Sequence, residues 1–330
     1  MQPPSPQQPG SRGRPIGRRR ALGFGAAALL GAGIARPGSV GAQTAGGNAA
    51  DLIGRNRLHT VRAGEVLVDL AVDYRVGYVE LVAANPEIGP WLPGVGTELV
   101  IPGEHILPDA PRRGIVINLA ELRLYHFAAG GTVASMAIGI GTEAAETPLG
   151  DTTVVNKRRN PTWWPPPSIR AERPELPMSV PPGPDNPLGD FALDLGWPLY
   201  RIHGTNRPYG VGRRVSHGCI RLYAEDIAAL FEAVAVGTPV RIVDQPIKLG
   251  WQEGRLFMEA HPTRRQIDEM EAGLPLDDWP PEDPTDQIRD ILVAIGGGVL
   301  VNWPIVRRIA RERRGVPGLI SMGAAPKLVD

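Results

Sequence analysis

The chain has 330 residues, of which 42% are hydrophobic and 21% charged, a balance that supports a packed core and argues against disorder. Its formal net charge is zero, yet six arginines and no acids lie in residues 1–42; beyond them 29 basic residues face 35 acidic ones, a net of −6. That excludes the basic footprint of a nucleic-acid-binding protein. Gly (41) and Pro (35) are frequent enough to favour short strands and many turns over long helices.

The N-terminal stretch "GRRRALGFGAAALLGAGIA" sets Arg18, Arg19 and Arg20 before a short Ala/Gly-rich apolar run. Small residues at Val40 and Ala42 then mark a cleavage site after Ala42. The run is too short to span a bilayer comfortably. Paired arginines before a weakly apolar run resemble a twin-arginine signal, which implies an exported protein of the periplasm or cell envelope. In such an oxidising compartment one unpaired cysteine, Cys219, is conspicuous.

Residues 43–57 read as a small-residue linker. Residues 58–103 then show a β-α-α-β order: a short strand at Leu58–Val61, a turn at Gly64, and two runs at three-to-four spacing, Leu67 to Tyr74 and Val79 to Ala83. The "ANP" break ends the second run, and Glu98–Ile101 supplies a closing strand before Pro102. With "HTVRAGEVL", "AANP" and "GTELVIP", this small α+β unit resembles a LysM domain. The resemblance implies binding of N-acetylglucosamine in peptidoglycan glycan strands by two loops, here Gly64, Glu65 and Val66, and Asn85, Pro86 and Ile88. The alternative is a spacer, since a fold does not guarantee binding.

Residues 112–245 read as mainly β. "GIVINLAELRLYHF" alternates around a turn at Ala120–Glu121, with Ile115, Ile117 and Leu119 on one face, then Leu122, Leu124 and His126 on the next strand. "VASMAIGIG", "TPLGDTTVV", "FALDL", "LYRIHG", "CIRLY" and "TPVRIVD" continue the strands. The Pro-rich excursion at 156–190 is expected to be a shaped loop or lid without regular structure. One short helix is expected over 224–235, with Ile227, Leu230 and Phe231 on one face. Beyond 245, "PIKLGWQEGRLFMEAHP" suggests a hairpin. The apolar-leaning stretch 291–315 reads as a packed helical tail, with an interfacial membrane segment as the alternative. The sequence assigns residues 246–330 no role.

A lone cysteine can be a buried small hydrophobe, part of a metal site or a nucleophile. Strand alternation sends Ile220 and Leu222 inward, which sets Cys219 and Arg221 on the other face; the same pattern buries Tyr200 and Ile202 and turns Arg201 and His203 out. A thiol beside imidazoles and cations is poised for attack. Gly218 removes a side chain where a substrate carbonyl must approach, and frees nearby N–H groups to hold an oxyanion. One Cys and two His fall short of a structural zinc site, and no second cysteine supports thiol redox chemistry. Spacing alone does not choose between His203 and His217 as the partner of Cys219.

The pair "IHGTN" (202–206) and "SHGCIRL" (216–222) is similar to the signature of the L,D-transpeptidases with a YkuD-type catalytic domain. "NPTWWPP" and "GPDNPLGDFAL" match the subgroup carrying an N-terminal LysM. The resemblance covers residues 58 to about 245 and thins out afterwards. It implies a β-sandwich or barrel and a cysteine acyltransferase of peptidoglycan that needs no cofactor or metal. Cys219 would be the nucleophile, His203 its base and the Gly204 carbonyl the group that orients the imidazole. Gly218 and Cys219 would stabilise the oxyanion, with Ser216, His217 and Arg221 lining the site. Asn206, Tyr200, Trp163 and Trp164 are candidate substrate contacts; anchoring the loop is the alternative for the two tryptophans. The acyl group would come from a tetrapeptide stem with loss of D-alanine. It would pass to another stem, to an outer-membrane lipoprotein or to water, the last being an L,D-carboxypeptidase. A non-catalytic wall-binding scaffold is the alternative from a different class.

Overall fold

The computed structural model describes residues 43–44, 51–272 and 282–323, and the expected export segment 1–42 lies outside them. The β-α-α-β pattern is present. Strands Arg57–Thr60 and Glu98–Ile101 pair antiparallel around helices α1 (Leu67–Tyr74) and α2 (Tyr78–Ala84). Leu67, Leu70 and Ala71 of α1 and Leu81 of α2 close onto Leu99 and Ile101, the positions that helical and strand periodicity turn inward. At the start of α2 the Glu80 carboxylate accepts a hydrogen bond from the Gly77 amide at 3.0 Å, satisfying a donor that the helix leaves open.

The expected linker is a correction. Leu52–Gly54 pairs antiparallel with Glu104–Ile106, and Gln43–Thr44 adds an edge strand against Thr132 and Val133. Short polar-flanked strands of two or three residues carry too little alternation to be read from sequence.

The main sheet has nine strands, in the order Gln43–Thr44, Thr132–Ala137, Arg123–Phe127, Gly114–Asn118, Pro239–Val243, Gly150–Arg159, Phe191–Leu195, Arg201–His203 and Ile220–Arg221. Leu124 and Met136 near one edge share a core with Ile202 and Ile220 at the other, so the sheet must curl around it. The hairpin turns at Leu119–Leu122 as expected, with the Leu122 amide donating to Leu119. Its second face is not solvent-facing, however: Val116, Tyr125, Phe127 and Val133 are buried with Leu107. The Pro-rich excursion also departs from expectation by holding a short helix, α3 (Pro167–Glu172). Proline at a first helical turn forfeits no helical hydrogen bond, so a Pro-rich run can open a helix that it could not continue. Helix α4 (Ala224–Ala233) buries Ile227, Leu230 and Phe231 against the sheet, and its acidic first turn complements its dipole.

The C-terminal segment starts with the expected hairpin, Ile247–Gln252 with Arg255–Ala260. Helices α5 (Arg264–Glu271), α6 (Thr285–Ala294) and α7 (Trp303–Glu312) follow. The stretch 291–315 is not one helix, because Gly296, Gly297 and Gly298 all take positive φ and a strand at Leu300–Val301 intervenes. The apolar side of α7, Val306 and Ala310, is spent on the hairpin core. Among the described residues no helix is long and apolar enough to cross a membrane.

A buried charge network joins these parts. Arg123 of the main sheet meets Glu80 of α2 at 2.6 Å. Lys248 of the hairpin reaches Glu121 at 2.5 Å and Glu259 at 3.1 Å, and donates to the Ile106 carbonyl at 2.6 Å. His105, Glu121 and Glu259 lie close enough to share a cation, and the Lys248 ammonium is that cation. Lys248→Met would leave two fully buried carboxylates facing each other without it, a loss of about 3–5 kcal/mol. Urea unfolding of the full chain should show this as a lowered midpoint with unchanged slope.

Candidate active site

Parallel pairing of Arg201–His203 with Ile220–Arg221 builds the site, with Ile202 opposite Ile220 and His203 opposite Arg221. Ile202, Ile220 and Leu222 point into the core, and Arg201, His203, Cys219 and Arg221 share the other face. Gly218 holds φ +94, and a side chain there would begin 2.7 Å from the Tyr200 ring. Only glycine fits this turn without strain. The Thr147 hydroxyl donates to the Gly218 carbonyl at 2.9 Å and the Ser216 hydroxyl to the Cys219 carbonyl at 2.6 Å. Among the described residues, the amides of Gly218 and Cys219 donate to no acceptor. With the two carbonyls pinned, these amides are a pair of donors that an anionic oxygen could use.

His203 is buried, which departs from the outward position expected of it. Its Nδ1 lies 2.6 Å from the Gly204 carbonyl. An Nδ1–H that donates there leaves the Nε2 lone pair available to accept a proton. Burial first, and then the Arg221 guanidinium, push its pKa down to about 3, with the Gly204 carbonyl opposing them. The Cys219 thiol donates to the Leu199 carbonyl at 3.4 Å. Burial pushes its pKa up, against the pull of the Arg201 guanidinium and amide and of Arg221. The resting pair is therefore a thiol and a neutral imidazole, not a thiolate and an imidazolium.

The sequence profile of the YkuD L,D-transpeptidase catalytic domain matches residues 112–242. The chain is 45% identical over 237 residues to the probable L,D-transpeptidase YcfS of Escherichia coli K12, spanning 68% of this chain and 74% of that one. It belongs to the L,D-transpeptidase family. It is also 42% identical over 266 residues to the probable L,D-transpeptidase ErfK/SrfK of the same strain, spanning 78% and 83%. The catalytic domain of the Enterococcus faecium L,D-transpeptidase aligns at 22% identity and TM-score 0.33, over 41% of this chain and 99% of that one. Of a longer chain of the E. faecium enzyme, this chain spans 51% at 21% identity and TM-score 0.32.

In this L,D-transpeptidase the remaining site candidates divide by what they touch. Ser216 is buried and spends its hydroxyl within the motif turn. His217 points outward to Glu172 of α3 at 2.9 Å, away from the thiol's own partner. Tyr200 walls the turn, with its hydroxyl 3.4 Å from the Glu146 carbonyl. Trp163 exchanges backbone hydrogen bonds with Val180 at 2.9 and 2.8 Å, and Trp164 is exposed. Asn206 donates to the Asp185 carbonyl at 3.0 Å. On the β-α-α-β unit, Asn85 is buried between Leu81 and Val100. The Glu65 carboxylate is taken up by His59 at 2.8 Å and the Arg62 amide at 2.7 Å. Of those loop candidates Gly64 and Pro86 are exposed, and Val66 and Ile88 partly so.

Sequence reasoning missed four contributors: Leu199, Thr147, Asn186 and Glu172. Leu199 sits at φ +72, where a branched side chain is strained, and nothing in "WPLY" announces that. Asn186 is buried, donates to the Pro161 carbonyl at 2.7 Å and accepts from the Leu188 amide at 2.9 Å, which sets the chain over His203. The signal available was the "PDNPLG" turn chemistry.

Unfolded, His203 would titrate near 6.5; folded, it does so at about 3. Between those values only the unfolded chain takes the proton, so this site's contribution to stability is complete above about pH 6.5 and is lost as pH falls toward 3. The urea midpoint of the wild type should therefore fall further between about pH 7.5 and about pH 4.5 than that of His203→Gln. Equal falls would show that His203 carries no such penalty.

Proposed function

We propose that this chain is a cell-envelope L,D-transpeptidase in which Cys219 is acylated by a peptidoglycan tetrapeptide stem. The observation that carries the reading is the register of Ile202 with Ile220, which sets His203 and Cys219 on one face of adjacent strands, with the imidazole steered by Gly204. His203 Nε2 takes the thiol proton as sulfur attacks the carbonyl of the third stem residue. The amides of Gly218 and Cys219 receive the oxyanion. The imidazolium then protonates the amine of D-alanine as the carbon–nitrogen bond breaks, leaving a thioester. An acceptor amine attacks the thioester and gives its proton to His203, and the thiolate leaves and is reprotonated. The acceptor is a second stem or a lipoprotein lysine; with water the outcome is carboxypeptidase action. Arg221, whose guanidinium faces the thiol, suits a stem carboxylate. The β-α-α-β unit acts as a LysM module on the glycan strand, and residues 1–42 act as the export signal. Gln43–Thr44, the first residues after the expected cut, already lie in the main sheet, which supports a mature chain that starts there.

Cys219→Ala should abolish acylation, and His203→Ala should cost nearly as much, because a nucleophile and its base act as a unit. His217→Ala should be milder. Intact-mass spectrometry after carbapenem treatment should show an adduct on the wild type and none on Cys219→Ala. A folded wild type that forms no adduct and releases no D-alanine from tetrapeptides would favour the non-catalytic scaffold.

Full-length Cys219→Ala should sediment with insoluble peptidoglycan. Pro86→Asp, at an exposed loop position, should reduce that by about tenfold or more, since it sets a charge where a neutral sugar must lie. Retention in the supernatant by the parent protein would leave the unit a spacer.

A further inference from the structure

The twelve residues between Gly204 and His217 are not free loop; they carry the surface on which the β-α-α-β unit rests. Gly212 takes φ +74, and a side chain there would begin 2.2 Å from the Gly77 Cα at the entry to α2. Its carbonyl accepts from the Val79 amide at 3.2 Å. The Arg213 guanidinium lies 4.9 Å from the centre of the Tyr78 ring. The Tyr209 phenol lies beside the Asp69 carboxylate in the first turn of α1, which raises its pKa. One residue past the motif's Leu222, the Tyr223 hydroxyl donates to the Val76 carbonyl at 2.9 Å. Behind this seam stands the buried Glu80–Arg123 pair.

A tethered module raises the local concentration of its ligand but gives it no direction. A docked module fixes distance and orientation before the substrate arrives, as an attack on one carbonyl among many similar ones requires. Asp69 lies just beyond the loop Gly64–Val66, and its partner Tyr209 lies between His203 and Cys219. One side-chain contact therefore separates the glycan-facing loop from the segment that carries the reacting pair. We infer that the β-α-α-β unit is a positioning element. Through Asp69–Tyr209, Gly77–Gly212 and Val76–Tyr223 it selects, on the glycan strand it holds, the stem peptide that reaches Cys219. The preferred substrate class is then a stem still attached to a polymeric strand, not a free muropeptide. This rests on the proposed glycan binding and thioester chemistry.

The test uses the full-length enzyme and variants on the side of the seam away from the motif. Gly77 has ordinary φ, so Gly77→Val strains no backbone, but its side chain would begin 3.1 Å from the Gly212 Cα and force the seam apart. Asp69→Ala removes the Tyr209 contact without touching backbone. Three quantities are measured: release of D-alanine from a soluble disaccharide tetrapeptide, the same release from isolated polymeric peptidoglycan, and sedimentation with that polymer in the Cys219→Ala background. Hydrogen exchange over 207–213 reports whether the seam has opened. The expected result is unchanged soluble turnover and sedimentation, with turnover on the polymer lowered about tenfold and Gly77→Ala intermediate. Wild-type turnover on the polymer from a seam shown to be open would overturn the inference in favour of a tether. Parallel loss of soluble and polymer turnover in both Gly77→Val and Asp69→Ala would overturn it in favour of a purely structural seam. A wild type that fails to sediment, or that is inactive on the soluble stem, would remove the underlying reading first, and the inference with it.

Discussion

Two short strands, Arg201–His203 and Ile220–Arg221, run parallel, and the placement of His203, Cys219 and Arg221 depends on that pairing. Parallel neighbours cannot be joined by a tight turn, so the chain between them must leave the sheet and return. The excursion carries Tyr209, Gly212 and Arg213 out to meet the β-α-α-β unit before delivering Ser216 to Cys219 beside His203. The same topological demand thus creates the register of the candidate site and the seam. Ile202 and Ile220, both fully buried, hold the register, because a slip of one residue would turn the thiol into the core.

The electrostatics of the site favour restraint over reactivity. Arg201 and Arg221 pull the thiol toward ionisation, but burial outweighs them, and the imidazole is kept neutral by burial and by Arg221. The sulfur is parked on the carbonyl of Leu199, itself in strained backbone.

The C-terminal segment supplies the counter-charge for groups that would otherwise be stranded. Glu121 lies in a hairpin turn, a place where a carboxylate is ordinarily solvated, yet here Asn118, Tyr125 and Lys248 surround it. Glu259 and His261 from the same segment complete the cluster around His105. Buried charges are tolerated only when paired, so the hairpin Ile247–Gln252 with Arg255–Ala260 is part of the fold's support and not an appendage.

The sequence by itself determined the family resemblance of the two motifs and most of the elements around them. "IHGTN" and "SHGCIRL" marked the two segments that carry His203 and Cys219, alternation marked the strands of the main sheet, and helical spacing marked α1, α2 and α4, because these signals are local and repeat within a few residues. Only the tertiary structure decided what depends on residues far apart in the chain. Alternation correctly set His203 on the face opposite Ile202 but could not show that the Leu188 backbone meets the imidazole. Likewise it could not show that the second face of Gly114–Asn118 is buried, since the covering Leu107 comes from outside the hairpin. Glu65 and Asn85 read as loop residues open to a ligand, whereas pairing with His59 and with Val100 commits their polar atoms internally. The αL backbone of Leu199 and the two-residue strand at Gln43–Thr44 left no trace in residue type. Composition and period report what a segment prefers; burial, pairing and pKa are set by which other segment arrives against it.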